Sequence, residues 1–97
     1  MAKGYWIARL NVHDSARYPE YIEAAAPAYA EYGARFLVRG GAVGASEGDV
    51  RQRNVVIEFP TYEAALACYN SDSYAKARAI RQELAEGEII VVEGVDG

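Results

Sequence analysis

The hydrophobic period of this chain switches from two residues to three or four and back, then repeats the cycle, giving strand, helix, strand twice over in halves of about fifty residues. From Tyr5 to Val12, the residues Trp6, Ala8, Leu10 and Val12 alternate with Tyr5, Ile7, Arg9 and Asn11, which predicts a strand with one wholly apolar face. Asp14 and Ser15 offer side-chain oxygens to the first free amides of a helix that runs on to a glycine stop at Gly33. Along that helix Tyr18, Ile22, Ala25, Tyr29 and Tyr32 recur on one side, with Glu20, Ala24, Pro27 and Glu31 opposite. Pro19 fits only the first turn, and Pro27 bends the helix because it lacks an amide and crowds the preceding turn.

The second half repeats the pattern. Ala34 to Arg39 predicts a strand, Gly40-Gly41 releases the backbone into the loop AVGASEGDVRQ, and Asn54 to Phe59 predicts the third strand. Pro60-Thr61 ends it and caps a second helix, which Asn70-Ser71-Asp72 divides in two before the pattern resumes from Tyr74 through Leu84 to Gly87. Ile89 to Val92 form the last strand, ending at Glu93-Gly94. The order β-α-β-β-α-β is that of a ferredoxin-like α+β domain: a four-stranded antiparallel sheet with helices on one face, the first and third strands central and the fourth at an edge.

Composition then limits what such a chain does. With 97 residues and no Ser/Gly/Pro-rich divider, residues 1–97 are expected to form a single domain. Only 21 residues are Leu, Ile, Val or Phe, while 18 are Ala and 8 Tyr, so the core is thin for its length. The central strands nonetheless carry apolar groups on both faces, and the Ile/Val edge strand has no shield of its own. A second copy of the chain is the simplest cover, and a homodimer is expected. A net charge of −4 argues against nucleic acid as a partner. No apolar run reaches the roughly 20 residues that span a bilayer, and the N-terminus lacks a signal-peptide core, so no membrane partner and a cytoplasmic location are expected. The single cysteine, Cys68, has no disulfide partner, and no Cys/His cluster has metal-ligand spacing, so neither a metal nor a cofactor is expected.

The run GYWIARLNV, Asp14-x-x-x-Tyr18-x-x-Tyr21, Gly33, LVRGG at 37–41, Glu47-Gly48, Arg53, VVIEFP at 55–60, Ser71-x-x-Tyr74, Arg81 and Glu93-Gly94, in this order, resembles domain of unknown function family 1330. Pro19 is the one departure. The resemblance implies a ferredoxin-like fold of the dimeric α+β barrel group and carries no established reaction with it.

Several residues are candidates for chemistry. Arg39, followed by Gly40-Gly41, either sets a guanidinium over an acidic ligand or pairs with a structural carboxylate. Glu58 interrupts an apolar strand, where it is either a general base or the partner of Arg9, Arg39 or Arg53. His13, the only side chain titrating near neutrality unaided, is either a proton shuttle or an ordinary surface histidine. Six tyrosines, Tyr21 and Tyr74 among them, are either core or the walls of an aromatic pocket. Two functions remain open. One is a pocket for a small acidic or carbonyl-bearing molecule, enzymatic or not, served by Arg39, Glu58, Tyr21 and Tyr74 with the Glu47 loop as lid. The other is a non-catalytic homodimeric module that acts through its surface.

Overall fold

The computed structural model describes residues 2–96. Its elements are β1 (Gly4–Val12), α1 (Tyr18–Tyr32), β2 (Arg35–Arg39), β3 (Arg53–Phe59), α2 (Tyr62–Tyr69), α3 (Asp72–Leu84) and β4 (Ala85–Glu93). The strands form one antiparallel sheet in the order β2-β3-β1-β4, so β1 and β3 are central and β4 is an edge, as the sequence predicts. The fold is ferredoxin-like, with the second helix in two pieces. The break is built as expected: Thr61 Oγ1 accepts from the amide of Ala64 at 3.0 Å to start α2, and Ser71 Oγ accepts from the amide of Tyr74 at 3.1 Å to start α3.

Three boundaries differ from expectation. Helix α1 begins at Tyr18 because Asp14 caps a preceding turn instead: its carboxylate accepts from the amide of Arg17 at 3.2 Å, and Arg17 occupies the N-cap without a side-chain bond. The helix also buries Tyr21 and Ala28 and leaves Ile22 half exposed, a rotation of the inner face by about one residue. The α3 helix ends at Leu84, not Gly87, and the chain enters β4 with no loop between. Gly87 is a strand residue opposite Leu10, at φ 148°, where a Cβ would run into the carbonyl oxygen of Arg9.

One sheet face packs on the helices. Trp6, Ala8 and Leu10 of β1 and Val55, Ile57 and Phe59 of β3 are buried there. Trp6 is the hub: its ring meets Tyr74 at 4.9 Å and Phe59 at 5.3 Å, and its indole N–H donates to the carbonyl of Ala65 at 2.9 Å. Aromatic pairs of this kind contribute about 0.5–1.5 kcal/mol each beyond the area they bury, which compensates for a core poor in branched aliphatics. The other face carries the opposite set of the alternation. The pairings Val38–Val56, Val56–Ile7 and Ile7–Ile90 draw one aliphatic row across all four strands, flanked by Tyr5 opposite Val92.

Candidate functional site

A pocket of about 320 Å³ opens between the inner sheet face and α1 and α3. That is at the small end of ligand-binding pockets, which run to about 300–1,000 Å³. Its floor is the apolar sheet, from Trp6, Ala8 and Leu10 to Val55, Ile57 and Ile89, and Phe36 closes one side. Helix α1 contributes Tyr18, Tyr21, Ile22, Ala26 and Tyr29. Alanines on the inner side of α1 keep the helix slender there, so rings and space occupy the place that leucines would otherwise fill.

Three arginines complete the lining, one each from β2, β3 and α3, and among the described residues no carboxylate lines it. Arg39 stands at the rim, its guanidinium 3.8 Å over the ring of Phe36. It reaches this face through a bulge: the β2 register jumps between Phe36 and Val38, so both Phe36 and Arg39 are opposite inward-facing β3 residues, Ile57 and Val55. Arg53 lies beside the Tyr18 ring at 5.4 Å. Gly40, at φ 68°, makes room for it, because a Cβ there would approach the Arg53 Nη1 to 2.9 Å. Arg81, from the last turn of α3, is only 6 % exposed. The Nε atoms of Arg53 and Arg81 are both buried and have no hydrogen-bond partner among the described residues. Nor does any of the three arginines form an ion pair there.

The phenols around them stay neutral. Tyr21 Oη meets Tyr74 Oη at 2.7 Å and Tyr29 Oη at 2.9 Å, so three hydroxyls form one buried chain. Burial and the neighbouring phenols push Tyr21 well above the ordinary tyrosine range, and burial does the same for Tyr29. Tyr18 is raised by burial against the opposing pull of Arg53 and Arg81. The fixed charge in the pocket is therefore all positive, surrounded by hydroxyl donors and apolar walls.

Of the residues singled out from sequence, Arg39 and Tyr21 line this pocket, and Tyr74 stands directly behind Tyr21. Glu58 does not join them. It is on the outer sheet face opposite Tyr5 and Arg35, where it accepts from the Tyr5 hydroxyl at 3.2 Å and from Lys3 Nζ at 3.5 Å. The proposed Arg39–Glu58 pair is thus absent, because the bulge puts Arg39 on the opposite face. Glu47 also lies elsewhere, beside Arg9, Asp49, Arg51 and Glu88. Arg9 donates to the carbonyl of Asp49 at 3.0 Å and Arg51 pairs with Glu88, which anchors this part of the 40–52 segment over the outer face instead of closing it as a lid on the pocket. His13 is exposed at the end of β1, 3.8 Å from Glu86. Among the described residues no three His, Cys, Asp or Glu side chains gather as metal ligands would.

Arg53 and Arg81 are the site residues that sequence reasoning missed. Arg81 follows Tyr74 and Ala77 at seven and four residues, on the buried stripe of its helix. An arginine on an apolar stripe was the available signal.

The sequence matches the family described as Domain of unknown function (DUF1330) over residues 3–95. No curated protein matches the chain. Among solved structures, a protein of unknown function from Rhodopseudomonas palustris is similar at a TM-score of 0.74 and 13% identity, over 99% of this chain and 85% of that one. SnoaB, a cofactor-independent oxygenase from Streptomyces nogalater, is similar at a TM-score of 0.65 and 14% identity, over 100% and 97% of the two chains. A dimeric ferredoxin-like protein of unknown function from Thermobifida fusca is similar at 0.53 and 16%, over 98% and 92%. At these identities the likeness is one of fold.

Proposed function

This chain belongs to the DUF1330 family, a family without an assigned reaction, and from its own site we propose that it is a homodimer whose helix-side pocket binds a small, largely apolar molecule bearing an acidic or carbonyl group. The observation that carries this reading is the pocket itself: about 320 Å³ of space floored by Trp6 and edged by three arginines, with no carboxylate among its lining residues. A core that wanted only stability would fill such a space with aliphatic side chains. Arg39 and Tyr21 contact the ligand, and the Tyr74 hydroxyl, 2.7 Å from that of Tyr21, fixes its position. The dimer forms through the other sheet face, where the Val38–Val56–Ile7–Ile90 row is covered by its copy, leaving both pockets open on the outside. The Thermobifida neighbour is dimeric, which supports a homodimer. A reducing cytoplasm suits the buried thiol of Cys68.

Trp6 is the only tryptophan and lines the pocket, so its emission reports occupancy directly. A panel of one- and two-ring aromatic acids, ketones and amides titrated into the full chain should contain members that quench Trp6 saturably and raise the melting temperature. If no member of the panel changes either signal, the pocket is not a ligand site of this class.

A further inference from the structure

The guanidinium groups of Arg53 and Arg81, whose Nε atoms are both buried, discriminate between the acidic and the carbonyl-bearing ligand. We infer that Arg53 and Arg81 form a carboxylate-binding site at the inner part of the pocket, and that the natural ligand is a monoanionic aromatic or alicyclic carboxylate. The inference rests on the pocket being a small-molecule site and adds which atoms of the ligand are held and by which residues.

An arginine is protonated at any physiological pH, so a buried one needs an anion or a full set of acceptors. Arg81 is 94% removed from solvent, by its 6 % exposure, and its Nε has no acceptor among the described residues. The Arg53 Nε is buried and unpartnered in the same way. The two line the same pocket, with Arg53 5.4 Å from the ring of Tyr18, which lines it too. Among the described residues no carboxylate lines the pocket, and the nearby phenols are held protonated by burial, so none of them neutralises this charge. A neutral carbonyl would satisfy one donor and leave the charge as it stands. A carboxylate presents two oxygens in a plane, the geometry that Nε and one terminal nitrogen of a guanidinium match, and supplies the missing charge. Apart from Arg39 at the rim, the rest of the lining is apolar or phenolic, which suits one charged head on a flat apolar body rather than a phosphoryl dianion.

Calorimetry on the full chain with 2-naphthoate, 2-naphthamide and inorganic phosphate tests this. Naphthoate should bind once per chain, at least about tenfold more tightly than naphthamide, and Arg81→Met should weaken naphthoate by about tenfold or more while leaving naphthamide unchanged. Arg53→Met should do the same, and it carries the test if Arg81→Met fails to fold. Equal affinity for the acid and the amide, or naphthoate binding that survives both substitutions, would overturn the carboxylate site while leaving the pocket intact. Displacement of naphthoate by millimolar phosphate would overturn it in favour of a phosphoryl ligand. If none of the probes binds while Trp6 still responds to other members of the panel, the class of ligand is wrong; if Trp6 responds to nothing, the pocket proposal falls with it.

Discussion

At the scale of single residues, the core depends on phenols doing the work of leucines, and each hydroxyl then needs a partner. The chain Tyr29–Tyr21–Tyr74 meets that need internally, so Tyr21→Phe should destabilise by about 1–3 kcal/mol, because it strands two buried hydroxyls at once. A denaturant melt compared with that of the partly buried control Tyr62→Phe checks it. The same burial sets a pH dependence. Tyr21 and Tyr29 are raised above their ordinary 10.0, and Cys68 is pushed from 9.0 up to about 12 by burial first and Glu31 second. Groups with a raised pKa hold their proton more tightly when folded. Their contribution is complete below about pH 9 and is lost as pH climbs through the alkaline range, as the unfolded chain gives up protons that the folded one keeps. Melting temperature should therefore fall above pH 9, and phenolate absorbance of the buried tyrosines should rise together with unfolding instead of before it. A stepwise phenolate titration in a still-folded protein would contradict the buried chain.

At the scale of elements, what was legible in the sequence was local, and what was not depended on pairing between strands. Thr61 and Ser71 announce their helices because a cap is made within three residues, and the β1 alternation sorts Trp6 from Ile7 without reference to any neighbour. The bulge at Leu37 has no such local mark. It is a property of how β2 meets β3, and it reverses the face of the strand end, which is why Arg39 reached the pocket, while the register itself sets Glu58 opposite Arg35 at the other end of β2. Deleting Leu37 should remove the bulge while keeping Arg39 opposite Val55 on the inner face, so carboxylate binding should persist while the sheet still forms by circular dichroism. Gly87 reads as a helix stop but serves a strand, because its left-hand-side φ and its contact with the Arg9 carbonyl appear only once β4 lies against β1. Gly87→Ala should cost about 1–3 kcal/mol through forced displacement of the β1–β4 pair, measurable as a lower denaturation midpoint. Arg81 was hidden for a different reason: a charge on an apolar stripe gains meaning only when the groups around it prove to be neutral.

At the scale of the whole molecule, the two sheet faces divide the labour. The inner face and its helices hold the pocket; the outer face, with Ile7 and Val56 central and Ile90 52% exposed at the edge, is the surface proposed to meet a second copy. Ile90→Lys should lower the dimer mass toward that of the monomer in light scattering at micromolar concentration, without abolishing ligand quenching of Trp6, because the altered side chain is on the opposite face from the pocket. The most direct test of the central claim is a crystal structure of the full chain grown with 2-naphthoate. Density is expected for the fused rings against Trp6 and Phe36, with the carboxylate oxygens within hydrogen-bonding distance of Arg53 and Arg81. Density for the ligand only on the outer face, or a pocket filled by repacked side chains that excludes it, would contradict the account.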